Sequence, residues 1–244
     1  MTCTPSAIAS ASGAAAYYAA DNYYAGGEQG PSEWGGKGAA ELGLSGSVEV
    51  GVFEQILNGK LPNGAAIAPG PDGRNPGMDL TFSAPKSVSL VALVGGDTRV
   101  LDAHARAVKS VMAWAEERYA TTRMGAGGKE TVNTGKLAYA LFQHDLSRAL
   151  DPQVHTHAVI ANVTQTSEGK WKAYDSEPFW KESALFGAAY HAELRVELAT
   201  LGYRTVITDP AKHGQFEIVG VPRHVIEAFS ARAPNPREGG RARH

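Results

Sequence analysis

The chain has 244 residues, of which 43% are apolar and 20% are charged, a composition typical of one soluble globular domain. Its 23 basic and 25 acidic residues give a net charge of −2, which counts against broad, non-specific adhesion to nucleic acid. Cys3 is the only cysteine, so the sequence excludes an intrachain disulfide and a cysteine-ligated structural zinc.

Membrane and export signals are missing from the sequence. No apolar run is long enough to span a bilayer. The small, apolar N-terminal stretch lacks the basic start of a signal peptide, because no Lys or Arg precedes Lys37. We therefore expect a cytoplasmic protein without membrane insertion.

The first predicted element is an alanine-rich helix over residues 10–25, with Ser10 or Ser12 as its N-cap and Gly26-Gly27 as its stop. Four tyrosines fall on it in two pairs: Tyr17, Tyr18, Tyr23 and Tyr24. Aromatic core packing is the ordinary explanation for one such tyrosine. Four within eight residues, beside side chains too small to bury them, also indicate a functional role.

A turn-rich segment over 26–38 separates this helix from the next elements. These are two short helices, a glycine- and proline-rich loop, a strand and two longer helices, predicted at 39–44, 47–58, 61–77, 78–83, 85–94 and 97–121. Ser47 is the predicted N-cap of the second short helix.

The strand at 78–83 alternates in polarity, so that Met78, Leu80 and Phe82 share one face and Asp79 lies on the other. A carboxylate on a strand beside a histidine metal site would hold one imidazole in the correct tautomer. A solvent-facing aspartate is an equal alternative on the sequence alone.

Three histidines occupy two further predicted strands, at 137–144 and 154–163. His155 and His157 are two residues apart, so both imidazoles project from one face. The Asp151-Pro152 turn would let the strands pair antiparallel and bring His144 beside them. Three imidazoles from two strands would leave positions open on a bound ion, as in catalytic metal sites. For His155 and His157 alone, two ordinary half-exposed histidines are the alternative.

The C-terminal part contains a predicted hairpin at 167–169 that leads to Lys170 and Lys172, which flank a tryptophan. These lysines could contact a phosphate backbone, or they could protect an edge strand. A helix, a hairpin, a last helix and a disordered tail follow, at 181–201, 204–219, 222–231 and 233–244. One domain over 1–232 is therefore expected. The order of elements predicts an α+β fold with a mixed or antiparallel sheet and helices gathered on one face.

Longer blocks of sequence resemble a known family. The tyrosine pairs are followed in order by EWGGKGAAELGLSG, DLTFSAPKSVSL and HDLSRALDPQVHTHAVIANVT. Together they closely resemble the conjugative relaxases of the MobF class, the F-plasmid relaxase-helicase family within the HUH endonucleases. The similarity covers nearly the whole chain. It implies a five-stranded antiparallel, palm-like sheet with helices mainly on one face.

The resemblance also implies site residues. His144, His155 and His157 match the family's metal ligands, and Asp79 matches the acidic residue that orients one of them. Tyr17 matches the principal nucleophile. The accessory tyrosines would be Tyr18, Tyr23 and Tyr24. Arg148, in HDLSR, matches a basic residue that would contact phosphate.

The implied activity is site- and strand-specific nicking of single-stranded DNA at a plasmid origin of transfer, through a 5′-phosphotyrosine, followed by rejoining. The cofactor would be a divalent ion, Mg²⁺ or Mn²⁺ in the cell, with Zn²⁺, Ni²⁺, Co²⁺ or Cu²⁺ also acceptable to three nitrogen ligands. Implied partners of the monomer are hairpin DNA at the origin, accessory relaxosome proteins and a type IV secretion coupling protein. The implied location is the bacterial cytoplasm, with transfer into the recipient cell attached to DNA.

Two other functional classes are compatible with the histidines. A metal-dependent hydrolase or oxygenase acting on a small molecule would need a closed pocket and no reactive tyrosine. A non-catalytic DNA-binding module would bind DNA without cleaving it. A covalent adduct between the protein and single-stranded DNA would separate the relaxase from both.

Overall fold

A five-stranded antiparallel sheet forms the centre of the structure, a computed structural model that describes residues 3–20, 31–70, 73, 75–147, 150–209 and 214–230. Within these residues, no helix has the length and apolar character needed to cross a bilayer. The predictions for Tyr23, Tyr24, Arg148 and the tail at 233–244 lie outside the described residues.

Eleven strands are present in the described residues. In chain order, β1 to β11 are Cys3–Ala7, Ser32–Gly35, Gly77–Ser83, Thr121–Met124, Glu130–Asn133, Tyr139–Leu146, Pro152–Ala161, Thr164–Gln165, Trp171–Lys172, Thr205–Asp209 and Gln215–Ile218. The central sheet has the order β1-β3-β7-β6-β2, and every neighbouring pair is antiparallel. The remaining strands form three two-stranded ribbons. The predicted palm-like sheet is therefore confirmed.

The described residues also contain eight α-helices. In chain order, α1 to α8 are Ala11–Ala20, Lys37–Glu41, Val50–Leu57, Lys86–Leu93, Arg99–Tyr119, Glu177–Lys181, Ser183–Thr200 and Arg223–Ala228. The predicted N-cap of α1 is confirmed, because the Ser10 hydroxyl accepts a hydrogen bond from the Gly13 N–H at 3.1 Å. The predicted Ser47 cap of α3 is wrong, since that helix begins after Glu49. The preceding segment is held by β2 instead, where Val48 N–H donates to the Ser32 hydroxyl at 3.2 Å.

The two faces of the sheet are covered by different helices. The long helices α5 and α7, with α4, pack on the face that carries Val154, Ala158 and Ile160 of β7. The short helices α1 and α3 cover part of the other face, against Val159 and Ala161. Since side chains alternate along a strand, His155 and His157 belong to the face of α1, and Thr156 belongs to the face of α5. The long helices thus support the histidine strand from behind.

A buried carboxylate joins α2, α5 and β6. Glu116 Oε1 accepts hydrogen bonds from the backbone N–H of Lys37 at 2.7 Å and of Leu137 at 2.6 Å. Between β2 and α2, Gly36 has a φ of 93°, and a Cβ there would lie 2.2 Å from the Leu137 carbonyl oxygen. The glycine therefore permits the close approach, and the carboxylate satisfies two amide groups in a largely buried place.

Replacing Glu116 with alanine is expected to lower the free energy of unfolding by about 2–4 kcal/mol, because two backbone N–H groups lose their acceptor. Glu117→Ala is the matched control, since Glu117 is the next residue on α5 and is exposed. Denaturant unfolding would measure both. Equal stability of the two variants would contradict this role for Glu116.

His104, on α5, is a fully buried histidine with two partners. Its Nδ1 lies 2.6 Å from the Tyr190 hydroxyl, and its Nε2 lies 2.8 Å from the Thr156 hydroxyl. Burial, and next the charge of His155, lower the pKa of His104 to about 3. The imidazole is therefore neutral in the folded protein at neutral pH, when it forms one donating and one accepting hydrogen bond.

This depressed pKa predicts that acid destabilises the protein. An unfolded histidine titrates near pH 6.5, so the unfolded state binds the extra proton as the pH falls from 6.5 towards 3. The contribution of His104 to the free energy of unfolding is fully present well above pH 6.5. It is reduced by about 2 kcal/mol at pH 5. Unfolding of the unmodified protein and of His104→Gln at pH 7 and pH 5 tests this expectation. An equal fall in the free energy of unfolding between pH 7 and pH 5 in both proteins would contradict it.

Candidate metal and tyrosine site

The three histidines singled out by the sequence meet on one face of the central sheet. His144 on β6 pairs directly with His155 on β7, and His157 follows two residues later on the same face. One ring nitrogen from each histidine lies within 4.8 Å of the others. The predicted antiparallel pairing is thus present, and it gathers three imidazoles into a group able to hold one ion. Their role as metal ligands stays a prediction.

A carboxylate and a hydroxyl on β3 orient His157. Thr81 is the strand neighbour of His157, and the buried Asp79 lies two residues earlier. Asp79 Oδ2 is 2.6 Å from His157 Nδ1, and it accepts a hydrogen bond from the Thr81 hydroxyl at 3.1 Å. The Thr81 hydroxyl oxygen is also 3.1 Å from the same imidazole nitrogen. The solvent-facing alternative for Asp79 is therefore wrong.

Thr81 was missing from the predicted site. Its position in the sequence could have indicated it, because Thr81 follows Asp79 by two residues and shares the polar face of the strand. The contact with His157 depends on the register between β3 and β7, which polarity alone does not specify.

The hydrogen bonds of two imidazoles determine which ring nitrogen of each could act as a metal ligand. A carboxylate and a carbonyl oxygen only accept, so His157 Nδ1 donates to Asp79 and His155 Nδ1 donates to the Gln153 carbonyl at 2.9 Å. Each Nε2 then keeps its lone pair. Within the described ranges, the buried His157 Nε2 has no hydrogen-bond partner. A buried acceptor of this kind is satisfied by a cation, so these residues fit a divalent ion.

The first tyrosine pair lies beside His157, and its two rings have different environments. The Tyr17 ring centroid is 6.0 Å from that of His157, and Tyr17 is 38% exposed. The Tyr18 ring is 5.0 Å from His157, stacks on Phe142 at 5.3 Å and is only 8% exposed. Consecutive helical residues point in different directions. Tyr17 is therefore the ring that a substrate can approach, whereas Tyr18 packs beneath the site against Phe53 and Phe142.

The predicted DNA-contacting lysines lie on the β8–β9 ribbon, which follows the end of β7 that is remote from His155. Lys170 is exposed and forms an ion pair with Glu168 at 2.8 Å. Trp171 is half-buried and packs against the core between the sheet and α1. The structure does not bring Lys170 or Lys172 to the histidines, and their contact with DNA stays a prediction.

Solved structures similar to this one include complexes of the conjugative relaxase TrwC with DNA. One is TrwC bound to a 27-mer DNA comprising the recognition hairpin and the cleavage site. It superposes with a TM-score of 0.83 at 40% identity, and the match covers 93% of this chain and 78% of the TrwC chain in that structure. A copper-bound complex of TrwC with origin-of-transfer DNA superposes with a TM-score of 0.80 at 42% identity. That match covers 93% of this chain and 78% of the chain in the complex. Fold and sequence together define the class as the MobF conjugative relaxases.

Sequence comparison defines the family within that class. The family model described as TrwC relaxase matches residues 11–237, so the chain belongs to the TrwC relaxase family. The multifunctional conjugation protein TraI of Escherichia coli is 47% identical over 246 residues, which cover 96% of this chain. The chain spans only 14% of the length of that TraI protein.

Proposed function

We propose that this chain is a DNA relaxase that nicks one strand at an origin of transfer and later rejoins it, through a covalent bond to Tyr17. The observation that supports this most strongly is the exposed Tyr17 ring 6.0 Å from His157, in a group of three imidazoles. The relaxase mechanism requires an exposed phenol beside the metal site, whereas hydrolysis or oxygenation of a small molecule does not require one. Family membership and the DNA complexes of TrwC support the same substrate class.

His144, His155 and His157 would hold the divalent ion through ring nitrogens. When bound, the ion acts as a Lewis acid on a phosphate oxygen and neutralises charge that develops during attack. Asp79 fixes the His157 ring by accepting its Nδ1 proton, and Thr81 holds the carboxylate in place. The Gln153 carbonyl does the same for His155. The rigid paired strands thus present two Nε2 atoms before DNA arrives.

Tyr17 is the proposed nucleophile of the nicking step. Its phenol oxygen forms a bond to phosphorus, and the bond from phosphorus to the 3′-oxygen breaks. The phenol proton ends, in balance, on the released 3′-hydroxyl, while the 5′-phosphate stays on Tyr17. One phosphodiester replaces another, so rejoining by the reverse step needs no nucleotide cofactor.

A second tyrosine would allow a second strand transfer while the first 5′ end is still bound. Tyr18, Tyr23 and Tyr24 were the predicted accessory tyrosines. The burial of Tyr18 against Phe142 argues that it supports the site in this conformation. We therefore assign the second transfer to the pair Tyr23 and Tyr24.

The relaxase function implies partners and a path for the protein. We propose that the chain acts as a monomer on a DNA hairpin at the origin, together with accessory relaxosome proteins. A type IV secretion coupling protein would then move it, attached to the 5′ end, from the bacterial cytoplasm into the recipient cell. Arg148, Lys170 and Lys172 are proposed phosphate contacts.

Asp79→Asn is expected to lower the affinity for Mn²⁺ by about 10- to 100-fold, because the amide no longer fixes the His157 tautomer as a carboxylate does. Titration calorimetry would measure the affinity. Asp97→Asn is the matched control, since Asp97 pairs with Arg99 at the surface and has no contact with the histidines. Unchanged Mn²⁺ binding by Asp79→Asn would argue against this orienting role.

The proposed function is tested with a single-stranded DNA library that has a long randomised stretch and a label at its 3′ end. The label must be 3′ because a 5′-phosphotyrosine keeps the 3′ fragment on the protein. With Mn²⁺, we expect a labelled protein band that survives denaturation, and sequencing of its DNA should reveal one preferred 5′ end. Binding without an adduct would favour the non-catalytic module, and the absence of both would favour the small-molecule enzyme.

A further inference from the structure

The strand that carries His155 and His157 is also held from its other face. Thr156 lies between the two histidines, and its side chain points away from them into the core beneath α5. Its hydroxyl is 2.8 Å from His104 Nε2, and His104 Nδ1 is 2.6 Å from the Tyr190 hydroxyl. A chain of three polar groups therefore joins β7 to the two long helices.

These three groups are buried in a mainly apolar cluster. His104 and Tyr190 are fully buried, and Thr156 is 3% exposed. Buried polar groups are unfavourable unless each finds a partner, and their hydrogen bonds depend on distance and direction. Apolar contacts in the same positions would tolerate small displacements. These three hydrogen-bonded side chains therefore fix the position of Thr156 more narrowly than packing alone.

Packing beside Thr156 is also incomplete. A pocket of about 90 Å³ lies between α5 and the edge of the sheet. Thr156 lines it together with Ala105, Val108, Leu141 and Gln143. Across this pocket the Thr156 side chain lacks the dispersion contacts that a close-packed neighbour would give. The hydrogen bond between His104 and Thr156 therefore holds a side chain that borders this pocket.

We propose that His104 is a positioning residue of the metal site, which with Thr156 and Tyr190 fixes the back of β7 and so places His155 and His157 for metal binding. This inference rests on the proposed metal centre. The neutral state of the buried His104 is consistent with it, because a neutral imidazole can accept from one hydroxyl and donate to the other. His104 itself touches neither substrate nor metal.

Two substitutions remove one hydroxyl each and keep the shape of the side chain: Thr156→Val and Tyr190→Phe. We expect each to weaken Ni²⁺ binding about 3- to 10-fold, less than the loss typical for a residue that contacts a ligand directly. The double variant should lose little more than the worse single one, because both act through His104. Thr156→Ser keeps the hydroxyl and should restore the affinity to within about twofold.

The matched control is Val100→Ala, a fully buried site at the start of α5 that lies outside the polar chain. It should reduce stability without changing Ni²⁺ affinity. Calorimetric titration with Ni²⁺ gives the affinity, the electron paramagnetic resonance spectrum of bound Cu²⁺ gives the ligand geometry, and denaturant unfolding gives the stability. A changed Cu²⁺ spectrum is expected only in the variants that lose a hydrogen bond to His104, Thr156→Val and Tyr190→Phe.

Two results would overturn the proposal. If the hydroxyl variants lose stability but bind Ni²⁺ as tightly as Val100→Ala, the hydrogen bonds of His104 contribute only to the stability of the core. If the unmodified protein binds no Ni²⁺, the metal centre is wrong and this role for His104 is wrong with it. The behaviour of the unmodified protein therefore distinguishes a failure of the proposed function from a failure of the positioning role.

Discussion

His157→Ala is expected to lower the affinity for Mn²⁺ by at least about 100-fold and the rate of DNA nicking by about 10³-fold or more. His157 is held by two side chains, since Asp79 and Thr81 both contact its Nδ1, and it lies in the group of three imidazoles. Its removal takes away one of the three proposed ligands and leaves the buried Asp79 carboxylate with Thr81 but without its imidazole partner. Mn²⁺ titration and single-turnover nicking would measure both effects.

His191→Ala provides a control for the loss of a buried histidine. His191 packs against Phe216 and Tyr190 on the far face of the sheet. We expect it to reduce stability and to leave Mn²⁺ affinity unchanged. Normal Mn²⁺ binding by a folded His157→Ala protein would contradict the assignment of the triad as the metal centre.

Tyr17→Phe is expected to abolish the covalent adduct with single-stranded DNA, with a fall of at least about 10³-fold in its rate of formation. Phenylalanine keeps the ring beside His157 and removes only the attacking oxygen. Metal affinity should stay within about twofold of the unmodified protein, because the ring itself does not coordinate. Quantification of the denaturation-resistant labelled band gives the rate.

Tyr203→Phe is the matched control for the loss of one phenol. The Tyr203 hydroxyl donates to Asp97 at 2.7 Å, at the surface, and has no contact with the histidines. Its adduct should form at the normal rate. If Tyr17→Phe also formed the adduct normally, another residue would be the first nucleophile.

Much of the site could be predicted because it depends on strand alternation. His155 and His157 share a face on any strand, and the short turn before them brings β6 alongside. Asp79 was predictable for the same reason, since the apolar residues at 78, 80 and 82 oblige it to face the other way. The long blocks shared with a known family added the tyrosines and the chemistry.

Other features depend on contacts between elements, which local pattern does not encode. The edge strands β1 and β2 have five and four residues, too few to show alternation, and glycine-rich sequence surrounds β2. Tyr17 and Tyr18 are flanked by alanines on both sides, so nothing in the helix shows which ring is buried. Thr81 and His104 acquire their partners only through the register of β3 and the packing of α5.

The most direct test of the account locates the DNA on the protein. No Lys or Arg precedes Lys37, so trypsin leaves all four N-terminal tyrosines on one peptide, and fragmentation in the mass spectrometer must assign the modified residue. After reaction with single-stranded DNA and Mn²⁺ and digestion of the DNA, we predict a nucleotide-derived phosphate on Tyr17. A phosphate on Tyr18, Tyr23 or Tyr24 instead, or on no tyrosine, would contradict the account.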